Sequence, residues 1–178
     1  MLLLGLIPLL LCLPSLGFGT ATTTSSTPIK PWEISHLSTF SPSGRPDSSP
    51  WAVVNLTISD PNDTSVSPAT CVRQWNFGNE TPYDKVIACS EVPGGKWTFV
   101  MLEADGADGV TPSPITNFGV RFELEKKKKK KDGGEKWVGD AKFVVGENMS
   151  GLCAASGFCS FGLKEELAPF AVRQVQVR

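Results

Sequence analysis

The chain has a single histidine, a single tyrosine and a net charge of −1. Each scarcity excludes something. A hydrolase triad needs a base poised near neutral pH, and His36 is the only imidazole. It sits in Ile34-Ser35-His36-Leu37, with no G-x-S-x-G elbow in the chain, and reads as an ordinary strand-end histidine. Near-neutral charge argues against a chain that as a whole binds polyanions, so no nucleic-acid partner is expected. Beyond the first residues no apolar run approaches the ~20 residues of a membrane span. Terminal lipidation and ER-retention signals are lacking. No stretch has convincing helical amphipathicity, and Lys164 to Leu167 is at most one turn.

Residues 2–13 form an uncharged apolar run, ended by Pro14 and Ser15. The run has the length of a signal-peptide core, and Gly17 and Gly19 supply small residues for a cleavage site. Residues 1–19 are therefore expected to be a signal peptide, followed by a flexible Thr/Ser-rich leader over 20–30. Residues 31–178 are expected to form a single secreted domain, large enough for a sizeable core.

Cys12 departs with the signal, which leaves Cys71, Cys89, Cys153 and Cys159. An even set in an oxidising compartment predicts two disulfides, with three connectivities open. Pairing of neighbours, which closes two short loops, is the preferred one. A zinc site fits less well, because His36 is far from the cysteines in sequence and neither pair has C-x-x-C spacing. No cofactor is expected. The sequons at Asn55, Asn62 and Asn148 are glycosylation candidates consistent with export; Asn79 is weakened by Pro82.

Ten Phe, five Trp, 17 Gly and 14 Pro suit strands joined by turns. A short first strand is expected near Trp32-Glu33-Ile34-Ser35. Alternation predicts strands over 51–59, 70–76, 84–90, 97–102, 118–125, 136–145, 157–163 and 169–177. The alternation turns Asn55 away from the aliphatic row, where a glycan fits. Strands 118–125 and 136–145 are expected to pair as a hairpin, with Lys126 to Lys131 and Asp132-Gly133-Gly134 at its tip. The fold class is all-β: a compact antiparallel β-barrel or sandwich stapled by two disulfides.

Few residues suggest catalysis. Asp105 with Asp108, and Glu165 with Glu166, are the carboxylate pairs a glycosidase needs, but neither lies in a recognisable motif. The 104–109 stretch lacks the spacing and terminal Glu of an EF-hand loop, so no metal is expected. Lys126, Lys127, Lys128, Lys129, Lys130 and Lys131 make a strong local positive field. They are read either as a contact for an anionic partner or as a solvated tip. Trp51, Trp75, Trp97 and Trp137 are the candidates for an exposed carbohydrate-binding row, although their strand positions place most of them in the core.

Four features carry a resemblance. They are Trp32-x-Ile34-Ser35 opening the ordered region, and Thr70-Cys71 with Cys89 eighteen residues on. Trp97-x-Phe99 then follows Cys89, and Cys153-x5-Cys159 precedes Gly162 and a terminal strand. The pattern over residues 31–178 resembles the Alternaria major-allergen family of fungal secreted proteins. The resemblance implies an antiparallel β-barrel with the two neighbour disulfides. It also implies an extracellular, non-enzymatic elicitor, effector or allergen that binds plant defence proteins and small phenolic ligands; the first hypothesis is a protein of this type that binds host or cell-wall components. The family's type member has an extra cysteine before the first strand that links two chains. Thr27 to Pro31 contain none, so a covalent dimer is not expected; the lysine tip resembles an insertion. The alternative is an extracellular carbohydrate-binding or carbohydrate-active β-sandwich, and a third reading is a wall-associated structural protein.

Overall fold

The computed structural model describes residues 28–106, 109–127 and 134–177. The expected signal peptide, most of the leader, Asp108 and Lys128 to Lys131 lie outside them. Among the described residues, eleven strands build two antiparallel sheets. They are β1 (Trp32–Ser41), β2 (Trp51–Ser59), β3 (Ala69–Asn76), β4 (Ile87–Ala88), β5 (Gly95–Glu103), β6 (Asn117–Lys126), β7 (Glu135–Val144), β8 (Met149–Cys153), β9 (Cys159–Leu163), β10 (Phe170–Val172) and β11 (Gln174–Val177). The larger sheet runs β3-β2-β1-β9-β8, with β10 also on β1; the smaller runs β11-β7-β6-β5-β4. Among the described residues the only helical turn is a 3-10 turn at Glu165–Leu167. The sheets do not close, so the fold is a sandwich and the barrel expectation gives way.

The inner faces follow from period-two alternation. In β2, Ala52, Val54, Leu56 and Ile58 are fully buried. In β6, Phe118, Val120, Phe122 and Leu124 meet them from the other sheet, so each side chain adds ~1.5–3 kcal/mol of apolar burial. Trp32 of β1 stands edge-on to Trp97 of β5 at 4.7 Å, which fixes one sheet over the other. Gly139 makes room for this, because a Cβ there would lie 3.1 Å from the Trp32 ring.

The first strand is longer than its opening four residues suggested. A bulge between Ile34 and His36 shifts the pairing with β2 by one residue. Beyond it Leu37, Thr39 and Ser41 face inward, so the strand continues with its alternation out of step. The expected strand at 84–90 shrinks to the two residues of β4, and 169–177 splits at Arg173 into β10 and β11. β10 pairs with β1 in one sheet and β11 with β7 in the other, so the chain's end crosses between the sheets.

The opposite side is held covalently. Cys71 of β3 bridges to Cys89, just after β4, and so joins the edge strands of the two sheets. Beside it Ser90 N–H donates to the Thr70 carbonyl at 2.7 Å, and Thr70 N–H donates to Ser90 Oγ at 2.9 Å. The second bridge, Cys153–Cys159, joins directly paired residues of the β8–β9 hairpin. Both pairings are the neighbour pairings.

Glu80 closes the segment between β3 and β4. Its carboxylate accepts from Arg73 at 2.9 Å, from Lys85 at 2.6 Å and from the Asn76 amide. The Lys85 and Arg73 hydrogen bonds hold its pKa at about 2, against 4.5 ordinarily. A depressed carboxylate stabilises the fold above its unfolded pKa and loses that effect as pH falls through the folded value. Glu80→Gln is therefore expected to unfold at lower urea than the wild type at pH 7. The difference should narrow between pH 4.5 and about 2. A pH-independent difference would mean that the ion pairs do not act. Replacing Cys71 and Cys89 together by Ala should cost ~2–4 kcal/mol in the same assay.

Candidate functional site

The turn after the inter-sheet bridge shapes a concavity at the edge of the smaller sheet. Chain from Ala88 to Trp97 leaves β4, reverses at Pro93-Gly94 and enters β5. Gly94 has φ +78°, and a Cβ there would run into the Ser65 carbonyl, so the reversal requires glycine. Together with Lys127, this turn borders a half-open hollow of about 520 Å³. Ala88, the bridged Cys89, Val92 and Pro93 give apolar walls, and Ser90 a hydroxyl. Lys96, Lys127 and Glu91, all exposed, bring charge to the rim. The Lys127 backbone N–H donates to the Gly94 carbonyl at 3.0 Å. The lysine run therefore leaves the sheet beside this cavity.

Lys126 stands apart from the run and is removed from the set of anion contacts. It is the last residue of β6, and its side chain is mostly covered. Its ammonium lies 2.6 Å from Asp60 Oδ2 and 3.5 Å from Asp63 Oδ2, with the Trp137 ring centroid at 5.8 Å. Asp60 is buried, so this lysine is its counterion rather than a surface contact. Asp63 has its pKa lowered chiefly by the Ser65 hydroxyl at 2.6 Å, with help from the Ser65 amide and Lys126.

The other candidates disperse. Trp75 and Trp97 are buried, Trp137 is half-buried against the core, and only Trp51 of the four proposed row members is exposed. No aromatic row forms. His36 sits at the bulge with Nε2 3.3 Å from Ser38 Oγ, in a shallow depression of about 470 Å³ shared with Ser150, Ser160 and Glu165. No hydrogen bond from the described residues orients its other ring nitrogen. Glu165 and Glu166 are successive residues of the exposed 3-10 turn. Asp105 lies 3.9 Å from the Lys142 ammonium. Among the described residues no three His, Cys, Asp or Glu side chains gather as a metal site needs, and no helix is long and apolar enough to cross a membrane.

The sequons differ in what their amides already do. Asn62 Nδ2 donates to the Lys30 carbonyl at 2.8 Å and to Asp60 Oδ1 at 2.7 Å. Asn148 Nδ2 donates to the Lys142 carbonyl at 2.8 Å while its Oδ1 accepts from Val144 at 2.9 Å, which closes the β7–β8 turn. Asn79 Nδ2 donates to Asn76 Oδ1 at 3.0 Å. Asn55 makes no hydrogen bond to the described residues. The cavity-lining residues Ser90, Val92 and Lys96 carried no motif; the Pro93-Gly94-Gly95 turn between Cys89 and Trp97 was their one sequence signal.

No family model, no curated protein and no solved structure matches the chain.

Lys126→Ala leaves the buried Asp60 carboxylate unpaired, and removing one partner of such a pair costs ~3–5 kcal/mol. Lys127→Ala, on an exposed side chain, should stay within about 0.5 kcal/mol of wild type. Urea unfolding of the two variants checks the division; equal effects would return Lys126 to the surface run.

Proposed function

We propose that the chain is a secreted, non-enzymatic binding protein of the fungal allergen and effector type. Its ligand site is the cavity between the Ala88–Trp97 turn and Lys127. The ligand class that suits it is a small apolar anion, with phenolic acids as the first candidates. One observation carries the reading: a half-open hollow of about 520 Å³, walled in part by Ala88, Val92 and Pro93, has Lys96 and Lys127 at its rim, beside the root of the lysine run. Apolar walls favour a ring, and the lysine ammonium groups favour a carboxylate or phenolate set against it. Glu91 at the same rim disfavours more highly charged anions. Two disulfides are compatible with export and have the pairing that the resemblance to the Alternaria major-allergen family implies, whereas the open sandwich departs from the barrel it implies. The lysine run that begins at Lys126 and Lys127 supplies positive charge for a host defence protein or an anionic wall polymer. The carbohydrate-active alternative loses its Trp row.

Titration of the purified protein with a hydroxycinnamic acid, followed by tryptophan fluorescence, tests the site. Saturable quenching of the tryptophan emission is expected. Lys96→Ala with Lys127→Ala should weaken binding by about 1–2 kcal/mol, or roughly 5–30-fold, because both cations are exposed. Binding unaffected by both substitutions would remove the cavity as the site. No binding of the acid, with lysine-dependent retention on an anionic polysaccharide, would shift the function to the wall polymer.

A further inference from the structure

The two outer faces of the sandwich are chemically unlike. The smaller sheet's outer face carries paired charges. Arg121 meets Asp140 at 2.8 Å, and Lys136 meets Glu123 at 2.8 Å. The central rows of the larger sheet's outer face carry no Asp, Glu, Lys or Arg. In register across its strands lie Ser150, Gly162, Ser38, Asn55 and Val72. The next row reads Leu152, Ser160, Phe40, Val53 and Gln74. Leu152 is 67% exposed, Val72 46% and Phe40 37%, and the Phe158 ring centroid lies 6.2 Å from that of Phe40. A charge-free sheet face with exposed apolar side chains invites association.

Asn55 stands near the middle of this face and opens the sequon Asn55-Leu56-Thr57. Asn55 and Thr57 are two residues apart on one strand, so both point outward. The Asn55 Oδ1 is enclosed without a partner, whereas Nδ2 is not enclosed and makes no hydrogen bond to the described residues. At Asn62 both amide hydrogens are donated, and at Asn79 and Asn148 one is donated within a turn. A glycan at Asn55 thus disrupts no hydrogen bond of the folded protein, while one at Asn62 must displace a donated hydrogen.

We infer that Asn55 is the N-glycosylated residue and that its glycan covers the uncharged face, standing in for the missing charge. Val72 is directly opposite Asn55 on one side, and Phe40 is its diagonal neighbour on the other, roughly 7–8 Å away. The first sugars lie over these side chains. In the transfer, Nδ2 forms a bond to the anomeric carbon of a lipid-pyrophosphate-linked oligosaccharide. The bond from that carbon to the pyrophosphate oxygen breaks, the lipid pyrophosphate leaves, and one amide proton is released. The inference rests on export, which is part of the proposed function, but not on the cavity or its ligand.

The test is expression of the full chain in a eukaryotic secretory host, beside a version whose residues 1–19 are replaced by the host's own leader. Intact mass and peptide mapping of the secreted protein should place a glycan on Asn55. Asn55→Gln should remove one glycan's mass, and Asn62→Gln and Asn148→Gln should remove none. The glycan-free Asn55→Gln protein should self-associate in sedimentation. Val72→Lys added to it should restore the monomer by returning charge to the face. Secretion of the leader-swapped protein with Asn55 unmodified overturns the inference while leaving export intact. Retention of the full chain with export of the leader-swapped one overturns the signal reading alone. A monomeric Asn55→Gln protein overturns the covering role.

Discussion

The Cys71–Cys89 bridge is the constraint on which the rest of the arrangement depends. Two sheets packed by apolar faces attract each other without direction, so burial alone leaves their edges free to slide. The bridge ties the edge strand β3 of one sheet to the end of β4 in the other. The reciprocal Thr70–Ser90 hydrogen bonds hold the same corner. On the far side the passage from β10 to β11 does the equivalent with backbone pairing. With both sides tied, Trp32 and Trp97 meet across the core and the turn from Ala88 to Trp97 has a fixed base. The candidate cavity exists because that turn starts at a bridged cysteine and ends at a buried tryptophan.

The same architecture separates two surface chemistries. On the smaller sheet, cross-strand charges neutralise one another; Arg121 has its pKa raised chiefly by its hydrogen bond to Asp140, and Lys136 by its bond to Glu123. Such exposed pairs add little stability each, but they keep the face wet and disfavour edge or face association. On the larger sheet, hydroxyls, amides and apolar side chains take those positions. Lys96 and Lys127 lie beside the cavity. The proposed ligand site and the proposed glycan therefore fall on different surfaces: the cationic corner and the uncharged face.

Legibility followed the strictness of alternation. Strand 51–59 was readable to the residue, and 118–125 to one residue at each end, because both have one wholly buried row. The hairpin partner 136–145 was legible from its turn chemistry, although of its expected inward row only Phe143 is fully buried. β8 was missed: only Met149 of its five residues is buried, so an edge strand of this kind has no period to detect. β1 was cut short because the bulge at Ser35 inverts the alternation. At the candidate site, the lysine run was conspicuous as composition, but its first member's burial against Asp60 was not. Nor was the cavity, whose walls carry no repeated pattern.

Properties that depend on neighbours along the chain were therefore decided by the sequence alone. They are the all-β class, most strand limits, the even set of four cysteines, and the sequon on the outward row of β2. A period of two needs no knowledge of what lies across the sheet. Tertiary structure decided which strands became edges and that the sheets stay open. It decided that Lys126 serves a carboxylate while Lys127 faces solvent, and that three sequon amides are engaged while that of Asn55 is not. Each of these turns on a contact between segments far apart in the chain, and such contacts are set by register and packing, which local pattern does not encode.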